Sequence, residues 1–349
     1  MAQATLTIDL DAIAANWRAL NAASASDVET AAVIKADAYG LGAVMVAKAL
    51  ARHGARTFFV AMAEEGIALR QALGPIPRIF VFGGHMAGDA GILQQNDLMP
   101  LLNSAEQIAR HRQALPGHHF GIQVDSGMNR LGIKEKDWRD VAAGVLAEGP
   151  DLLMSHLACA DDAENPMNAA QLANFRRMTD GYGVARSLAA TDGIRLGAEY
   201  HFDLTRPGIG LYGGSMAPGL GPVVRLTLPV IQTHDLQVGE RVGYGGTWQA
   251  LTPTRIATLS AGYADGLIRA MGGKIKVFQG DTACPVVGRV SMDLLTVDVS
   301  DLPQPPESLD ILCLAQGVDV LARAAGTIPY EILTALGPRY ARHYAGDDA

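Results

Sequence analysis

The feature that most constrains the fold is a pattern repeated between about residues 30 and 210, in which a short apolar run precedes a turn and a helical stretch. The apolar runs lie at Ala31–Lys35, Thr57–Met62, Arg78–Gly83, Leu98–Leu102, Phe120–Asp125, Leu152–His156, Arg186–Ala190 and His201–Arg206. The segments between them include Gly42–His53, Glu64–Leu73, Ser104–Ala114 and Asp137–Glu148. Strands that alternate with helices pair in parallel, because each connection crosses back along the sheet. Eight such strands predict a closed (β/α)₈ barrel, although the pattern alone also permits an open, doubly wound sheet.

The sequence changes character after about Pro222. Valine, threonine and leucine then alternate with polar residues in runs that glycine and proline separate, at Val223–Val230, Thr254–Ser260, Ile275–Gln279 and Leu294–Val299. No helix-length pattern follows until Pro329–Leu336. We therefore predict a barrel domain over residues 1–225 and a mainly antiparallel β domain over residues 226–349.

Charge and composition exclude several classes of partner. The net charge of −8 argues against binding to nucleic acid or to an anionic membrane. The N-terminal segment has Asp9 and Asp11 but no basic stretch before an apolar core, and no apolar run approaches the ~18 residues of a membrane span. The three cysteines have neither metal-ligand nor disulfide spacing. We expect a soluble, cytoplasmic protein without a metal site.

Lys35 ends the first apolar run, in the segment VIKADAYG. Barrel enzymes carry their catalytic groups at the carboxyl ends of the strands. A lysine in this position commonly extends past apolar surface to reach water. The apolar neighbours favour a desolvated amine instead, and its lowered pKa would suit a Schiff base with a carbonyl cofactor.

A phosphate site is indicated in the segment TRPGIG, which follows the eighth run. Phosphate sites in such barrels often lie after strands seven and eight, where backbone amides and a helix N-terminus supply donors. Gly208 allows the backbone to approach an anion, and Thr191 offers a hydroxyl after the seventh run. Each feature alone is also typical of an ordinary turn. Together with Lys35, they place an amine and a phosphate cradle at one end of the barrel, which suits pyridoxal 5′-phosphate (PLP).

Two further polar residues fall at the same end of the barrel. His156 ends the sixth run, so a hydrogen bond between His156 and Arg206 is expected, and Arg130 could bind a carboxylate with two parallel hydrogen bonds. A structural histidine and a surface arginine are the alternatives. In the second domain the segments VGYGGTW, GYADGL and GRVSMD are weak signals in isolation, and the first of them places Tyr244 among glycines.

These motifs, in this order and over essentially the whole chain, resemble those of the alanine racemases, which are fold-type III PLP enzymes. VIKADAYG is highly specific, and RPGIGLYG, VGYGGTW, GYADGL and GRVSMD support it. The resemblance implies PLP as the cofactor and a barrel followed by a β domain. It also implies interconversion of L-alanine and D-alanine by two bases on opposite faces of the substrate. A head-to-tail homodimer is implied as well, with Tyr244 in the partner's active site.

The resemblance assigns a role to each matched residue. Lys35 would form the Schiff base with PLP and act as one base, and Tyr244 would act as the other. Arg206 would face the pyridine nitrogen, which should then stay unprotonated, and His156 would support it. The remaining roles are phosphate binding by Tyr39, Thr191 and the amides of Gly208 and Ile209, substrate carboxylate binding by Arg130 and the Met292 backbone, and support or entrance positions at Gln123, Asp161, Tyr263, Arg269, Arg289 and Asp293.

The chain departs from the family pattern at four places. Gln123 stands where many members have a carbamate-modified lysine, and it brings no negative charge to Arg130, so a bound chloride is our hypothesis there. The other departures are Ala190-Thr191 for Asn-Ser, Ser291 for a cysteine, and Pro338 for an entrance tyrosine, with Tyr340 close by.

Three alternative functions share parts of this pattern. A broader amino-acid racemase would use the same bases in a looser pocket, but such relatives usually carry a secretory signal. A non-catalytic PLP-binding protein would usually end after the barrel and would lack a counterpart of Tyr244. PLP-dependent decarboxylases share the architecture, but they usually place an acidic residue where this chain has Arg206.

Overall fold

The computed structural model describes residues 3–215 and 219–346. The chain forms two compact units, one of residues Ala14–Leu211 and one that joins Met1–Ile13 to Tyr212–Ala349. The first unit thus ends before the boundary predicted near residue 225. The N-terminal residues belong with the second unit because the strand Thr5–Asp9 pairs with strands of that unit.

A ring of parallel strands forms the first unit. The first barrel strand has two pieces, Glu29–Thr30 and Ala32–Val33. Barrel strands two to eight are, in chain order, Thr57–Val60, Arg78–Val81, Met99–Leu102, Gly121–Asp125, Leu152–Met154, Arg186–Ser187 and Leu204–Thr205. Each strand up to the seventh pairs with the next one along the chain.

Two contacts close the ring. The bridge Ala190↔Arg206 joins the seventh strand to the eighth, and the eighth pairs in parallel with the first piece of strand one. The second piece of strand one pairs with strand two, so the first strand connects both sides of the seam. The predicted closed (β/α)₈ barrel is therefore confirmed, and the alternative of an open, doubly wound sheet is excluded.

Helices follow the barrel strands and coincide with the predicted helical segments. Local sequence begins two of them: the Ser104 hydroxyl accepts the Gln107 N–H at 3.3 Å, and the Asn165 side chain accepts the Met167 N–H at 3.1 Å. The helices before Tyr212 are Leu10–Ala22, Ala43–Arg52, Ala63–Leu73, Ala90–Gln95, Ala105–Ala114, Glu135–Ala147, Pro166–Thr179 and Thr191–Leu196. A left-handed turn spans Lys35–Gly40, 3₁₀ turns lie at Ala198–Tyr200 and Ile209–Tyr212, and a short strand lies at Ile133–Lys134.

The barrel interior is apolar and closely packed. All four residues of Thr57–Val60 are buried, as expected of a parallel strand covered on both faces. The Phe59 ring stacks on Phe80 and on Phe82, with ring centroids 5.2 Å and 5.1 Å apart. These rings form an apolar layer near the carboxyl ends of the strands.

The second unit is mainly an antiparallel β structure, as predicted. Its longest strand, Val224–Leu236, pairs in antiparallel fashion with Thr5–Asp9, Thr254–Leu259 and Ser308–Leu312. The remaining elements are the strands Arg241–Val242, Trp248–Gln249, Lys276–Gln279, Thr282–Pro285, Leu295–Asp298 and Ala341–Ala345, the 3₁₀ turns Tyr244–Gly246, Tyr263–Asp265 and Arg269–Met271, and the helices Val318–Ala325 and Pro329–Ala335.

Several elements of this unit were not predicted. They are the N-terminal strand Thr5–Asp9, the helix Val318–Ala325 and the strands Arg241–Val242, Trp248–Gln249, Thr282–Pro285, Ser308–Leu312 and Ala341–Ala345. The N-terminal strand pairs with Ala341–Ala345 in parallel, which is an exception to the antiparallel pattern. No helix within residues 3–215 and 219–346 combines the length and the apolar character needed to cross a bilayer.

Candidate active site

Lys35 directly follows the first barrel strand and Ile34, as predicted. Its Nζ lies 5.7 Å from the centroid of the Phe82 ring, over the apolar layer of the barrel. Burial lowers the pKa of Lys35 most, the positive charge of Arg130 lowers it further, and the carboxylate of Glu65 raises it. The net pKa lies below 10.5, so the amine has a larger neutral fraction than an exposed lysine has.

The residues after Lys35 adopt an unusual backbone conformation. Ala36, Asp37, Ala38 and Tyr39 have φ angles of 52°, 54°, 54° and 57°, so all four are left-handed. For L-residues this conformation costs roughly 1–2 kcal/mol each, or about 4–8 kcal/mol for the turn. The surrounding contacts must offset that cost. The strained turn ends at Tyr39, whose side chain is buried.

A cluster of polar groups forms where strands seven and eight end. The Thr191 hydroxyl oxygen accepts the N–H groups of Gly208 and Gly210, each at 3.1 Å. A Cβ atom at Gly208 would lie 2.4 Å from the Tyr39 hydroxyl oxygen, so glycine is required for this close approach. Ile209 begins the adjoining 3₁₀ turn. The predicted phosphate-binding residues therefore meet, although the Gly208 amide donates to Thr191 in this structure.

Arg206 is buried at the end of the eighth strand. Its Nη1 donates to the Ser187 hydroxyl, and its Nη2 donates to the carbonyl oxygens of Ser155 at 2.7 Å and Leu188 at 3.3 Å. Burial lowers the pKa of Arg206 to about 9, which leaves the guanidinium protonated at neutral pH. Sequence reasoning missed Ser155 and Ser187, although a serine within an apolar run at a strand end was an available signal.

His156 lies close enough to these cations to be affected by their charge. Burial lowers its pKa to about 3, and the charges of Arg206, Arg130 and Lys35 contribute to the lowering, so the imidazole is neutral. The hydrogen bond predicted between His156 and Arg206 is not formed among the described residues, because the guanidinium donates to the hydroxyl and carbonyl groups at the strand ends instead. His156 and Arg206 therefore interact through the charge of the guanidinium and not through a hydrogen bond.

Gln123 and Arg130 belong to the fifth strand and to the turn after it. Gln123 is buried, and its Nε2 donates to the Leu131 carbonyl oxygen at 3.2 Å. This uncharged hydrogen bond fixes the backbone of the turn that carries Arg130. The Arg130 side chain is exposed, and its charge lowers the pKa values of Lys35 and His156. An exposed guanidinium near the Lys35 amine is suitably placed to bind a carboxylate.

Tyr244 belongs to the second unit and is 72% exposed. It begins the 3₁₀ turn Tyr244–Gly246 between the paired strands Arg241–Val242 and Trp248–Gln249. The ring lines a surface cavity of about 530 Å³, together with Gly243, Gly245, Thr258, Arg289, Ser291, Leu294 and Thr296. The predicted second base and Arg289 thus share one exposed cavity.

Met292 is positioned by the GYADGL motif. A Cβ atom at Gly262 would lie 2.3 Å from the carbonyl oxygens of both Ser291 and Met292, so glycine is required where these segments cross. The N–H groups of Tyr263 and Ala264 donate to the same two carbonyls, each at 3.0 Å. The motif therefore supports the backbone that was predicted to bind the substrate carboxylate.

The other predicted entrance residues are exposed. Asp161 follows the sixth barrel strand, and Tyr263, Arg269, Arg289 and Asp293 lie in the second unit. Asp293 accepts a hydrogen bond from Arg339 at 2.7 Å, and Arg339 also forms a two-pronged ion pair with Asp265. Sequence reasoning did not identify this ion-pair cluster. Tyr340 is buried, so it does not present a side chain at the surface in place of the missing entrance tyrosine.

Comparison with known proteins identifies the family. The alanine racemase N-terminal domain matches residues 8–216, and the alanine racemase C-terminal domain matches residues 223–344. The alanine racemase of Dinoroseobacter shibae is 64% identical to this chain over 99% of both sequences. The alanine racemase structure from Bartonella henselae, with covalently bound pyridoxal phosphate, is 36% identical with a TM-score of 0.92, and the match covers 99% of this chain and 100% of that one. The biosynthetic enzyme from Pseudomonas aeruginosa is 35% identical, with the same TM-score and coverage. The chain therefore belongs to the alanine racemase family.

Proposed function

We propose that this chain interconverts L-alanine and D-alanine with PLP, and that Lys35 and Tyr244 are its two acid–base groups. One observation carries the proposal. The desolvated amine of Lys35 and the polar cluster around Thr191, Gly208 and Tyr39 lie at the carboxyl ends of strands one, seven and eight, which adjoin in the closed barrel. An amine and a phosphate site are the two attachments that PLP needs.

The residues present fit this cofactor. The Thr191 hydroxyl, the Tyr39 phenol and the backbone of the Gly208–Ile209 turn would hold the phosphate, and Arg206 would face the pyridine nitrogen. Bound PLP supplies a carbonyl that joins covalently to an amine and a ring that delocalises negative charge from the substrate carbon. Because Arg206 is protonated at neutral pH, it would present an N–H group to the ring nitrogen and would not give up a proton to it.

Racemisation requires a proton to leave one face of the α-carbon and another to arrive on the opposite face. The lowered pKa of Lys35 suits its Nζ to accept and return a proton on one face. Tyr244 would serve the other face, with the Arg289 guanidinium in the same cavity to stabilise negative charge on the phenol oxygen. Arg130 and the Met292 backbone would bind the substrate carboxylate, with Gln123 holding the Arg130 turn.

An exchange experiment tests the reaction. The protein with PLP is incubated in deuterated water with L-alanine and, separately, with L-serine. We expect deuterium at Cα together with loss of optical activity for alanine. Equal rates for serine would favour a broader racemase, whereas no exchange with either amino acid would refute both racemase functions.

We further propose a homodimer in which Tyr244 completes the partner's active site. The 72% exposure of Tyr244 beside an open cavity supports this, because a base must be shielded from water to work efficiently. Mixing inactive Lys35→Ala and Tyr244→Phe proteins after reversible dissociation tests the sharing. Random reassociation should restore about one quarter of the wild-type sites, because half of the dimers are mixed and each has one intact site. A mixture that stays inactive after subunit exchange would show that each site uses a single chain.

A cytoplasmic location is also proposed. Cys159, Cys284 and Cys313 are all unpaired, which is typical of proteins in a reducing compartment. Fractionation of cells that express the protein, with activity assayed in each fraction, tests this location.

A further inference from the structure

The Glu65 carboxylate connects the ends of two neighbouring barrel strands. Glu65 lies in the first turn of the helix Ala63–Leu73, which follows strand two. Its Oε1 accepts the N–H of Ala36, the residue after Lys35, at 2.7 Å. Its Oε2 accepts the N–H of Ala61 at 2.7 Å and that of Met62 at 3.4 Å. One side chain thus ties the backbone beside Lys35 to the end of the second strand.

This tie lies where the backbone is most strained. Ala36 is the first of the four left-handed residues, and none of the four is a glycine. From within the turn, the Asp37 carboxylate accepts the N–H of Ala43, which begins the following helix, at 2.7 Å. Charge-assisted hydrogen bonds of this kind are stronger than neutral ones. The two carboxylates therefore tie a turn that the sequence ADAY would not adopt by itself to the helices on either side of strand two.

Glu65 also acts on Lys35 through its charge. Arg130 and Glu65 affect the amine in opposite directions, since the cation lowers the pKa of Lys35 and the carboxylate raises it. The Nζ atom rests over the Phe82 ring in an apolar setting, where such charges act strongly.

We infer that Glu65 is a positioning residue for the reaction, because its carboxylate fixes the left-handed turn that carries Lys35 and Tyr39 and balances the charge of Arg130 at the Lys35 amine. The inference rests on the proposed role of Lys35 as the amine that holds PLP. Glu65 acts through Lys35 and Tyr39.

The test compares two glutamates that are neighbours in the chain. Glu65→Gln and Glu64→Gln remove the same charge from the same helix turn, but the Glu64 side chain is exposed and has no hydrogen bond among the described contacts. The pH at which the visible absorption of the PLP–lysine link changes is measured for each holoenzyme, together with the dissociation constant for PLP. In Glu65→Gln the midpoint should fall by roughly 0.5–1 on the pH scale and PLP should bind about tenfold more weakly. Glu64→Gln should match the wild type in both measurements.

A third variant separates the effect of the negative charge of Glu65 from the effect of its side-chain length. Glu65→Asp keeps the carboxylate but shortens the side chain, so the midpoint should stay near the wild-type value while PLP binding weakens. A purely structural role would lower the unfolding temperature of both Glu65 variants and leave the midpoint unchanged, which would overturn the inference. If Glu65→Gln does not fold, wild-type PLP affinity in Glu65→Asp would overturn it instead. If the Lys35→Ala protein keeps the absorption band of the covalent link, the proposed function fails before Glu65 is tested.

Discussion

The two proposed bases lie in contrasting settings. Lys35 follows a buried strand and precedes four left-handed residues, none of which is glycine. Tyr244 is 72% exposed, and the residues with positive φ beside it are Gly243, Gly245 and Gly246. Both segments contain several positive φ angles, yet only the segment after Lys35 adopts them against the preference of its side chains.

The contrast indicates how each base is prepared for its task. Contacts within the first unit hold the Lys35 turn in place, and its amine is desolvated before any ligand arrives. The Tyr244 loop adopts its shape with little strain and leaves the phenol exposed, so in the proposed dimer the partner would exclude water from it. Under this proposal one base is prepared by its own unit, whereas the other would be shielded by an additional surface.

The largest loss of activity should come from replacing Lys35, the base that its own unit prepares. Lys35→Ala removes both the covalent attachment of PLP and one acid–base group, so kcat should fall by about 10⁴-fold or more. The covalent absorption band should disappear, while the phosphate residues still bind PLP reversibly. Lys136→Ala, at an exposed position, is the control and should keep wild-type turnover. Substantial racemisation by Lys35→Ala would mean that another group acts as the base.

The second base should give a smaller but selective loss. Tyr244→Phe removes only the phenol oxygen, so kcat should fall by about 10²–10⁴-fold while the cofactor absorption spectrum stays unchanged. Deuterium exchange and absorbance measured on the same samples check both parts. Tyr182→Phe, at a tyrosine that is 42% exposed, serves as the control. An altered cofactor spectrum in Tyr244→Phe would indicate that the loop shapes the PLP site within its own chain.

A double-mutant cycle tests the phosphate end of the Lys35 site. Gly208→Ala introduces a Cβ atom 2.4 Å from the Tyr39 hydroxyl oxygen, so PLP affinity should fall about tenfold. In the Tyr39→Phe background that oxygen is absent, and the same substitution should cost little further affinity. PLP titration of the four proteins measures this coupling, with Gly91→Ala as a control because a Cβ atom there meets open space. Equal costs in both backgrounds would show that Tyr39 and Gly208 act independently.

The smallest effect concerns charge. Arg130→Gln removes a cation that disfavours the charged form of Lys35, so the pKa of Lys35 should rise by less than about one, because burial is the larger cause of the lowering. The neutral, reactive fraction of the amine should then fall at any pH below that pKa. The pH dependence of Lys35 labelling by an amine-reactive reagent in the PLP-free protein, followed by mass spectrometry, measures the change. Arg18→Gln is the exposed control, and a lowered pKa in Arg130→Gln would contradict the assigned charge effect.

The sequence predicted the barrel because its strands are buried on both faces and so appear as uninterrupted apolar runs. Once the runs are placed, topology alone puts Lys35, His156, Thr191 and Arg206 at one end of the ring. The β domain was predictable for a similar reason, since its runs alternate between apolar and polar residues.

Features that depend on distant partners were not predictable in this way. The strand Thr5–Asp9 pairs with residues more than two hundred positions away, and the pattern that defines the barrel begins only after it. The left-handed residues Ala36–Tyr39 include no glycine, and the carboxylate that accepts the Ala36 N–H comes from Glu65, almost thirty residues further along the chain. Two of the three acceptors of Arg206 are likewise backbone carbonyl oxygens, which any residue type would supply, whereas the third is the Ser187 hydroxyl.

The divided first strand has a consequence for how the enzyme matures. Its first piece meets strand eight at the seam, where the Thr30 and Thr205 hydroxyls lie 3.2 Å apart although 175 residues separate them in the chain. Lys35 follows one side of that seam, and the proposed phosphate site follows the other. Cofactor capture therefore has to await the last strand of the ring. A ligand that contacts both sides of the seam stabilises the closed ring by mass action. PLP would therefore bind late in folding and would stabilise only the completely folded barrel.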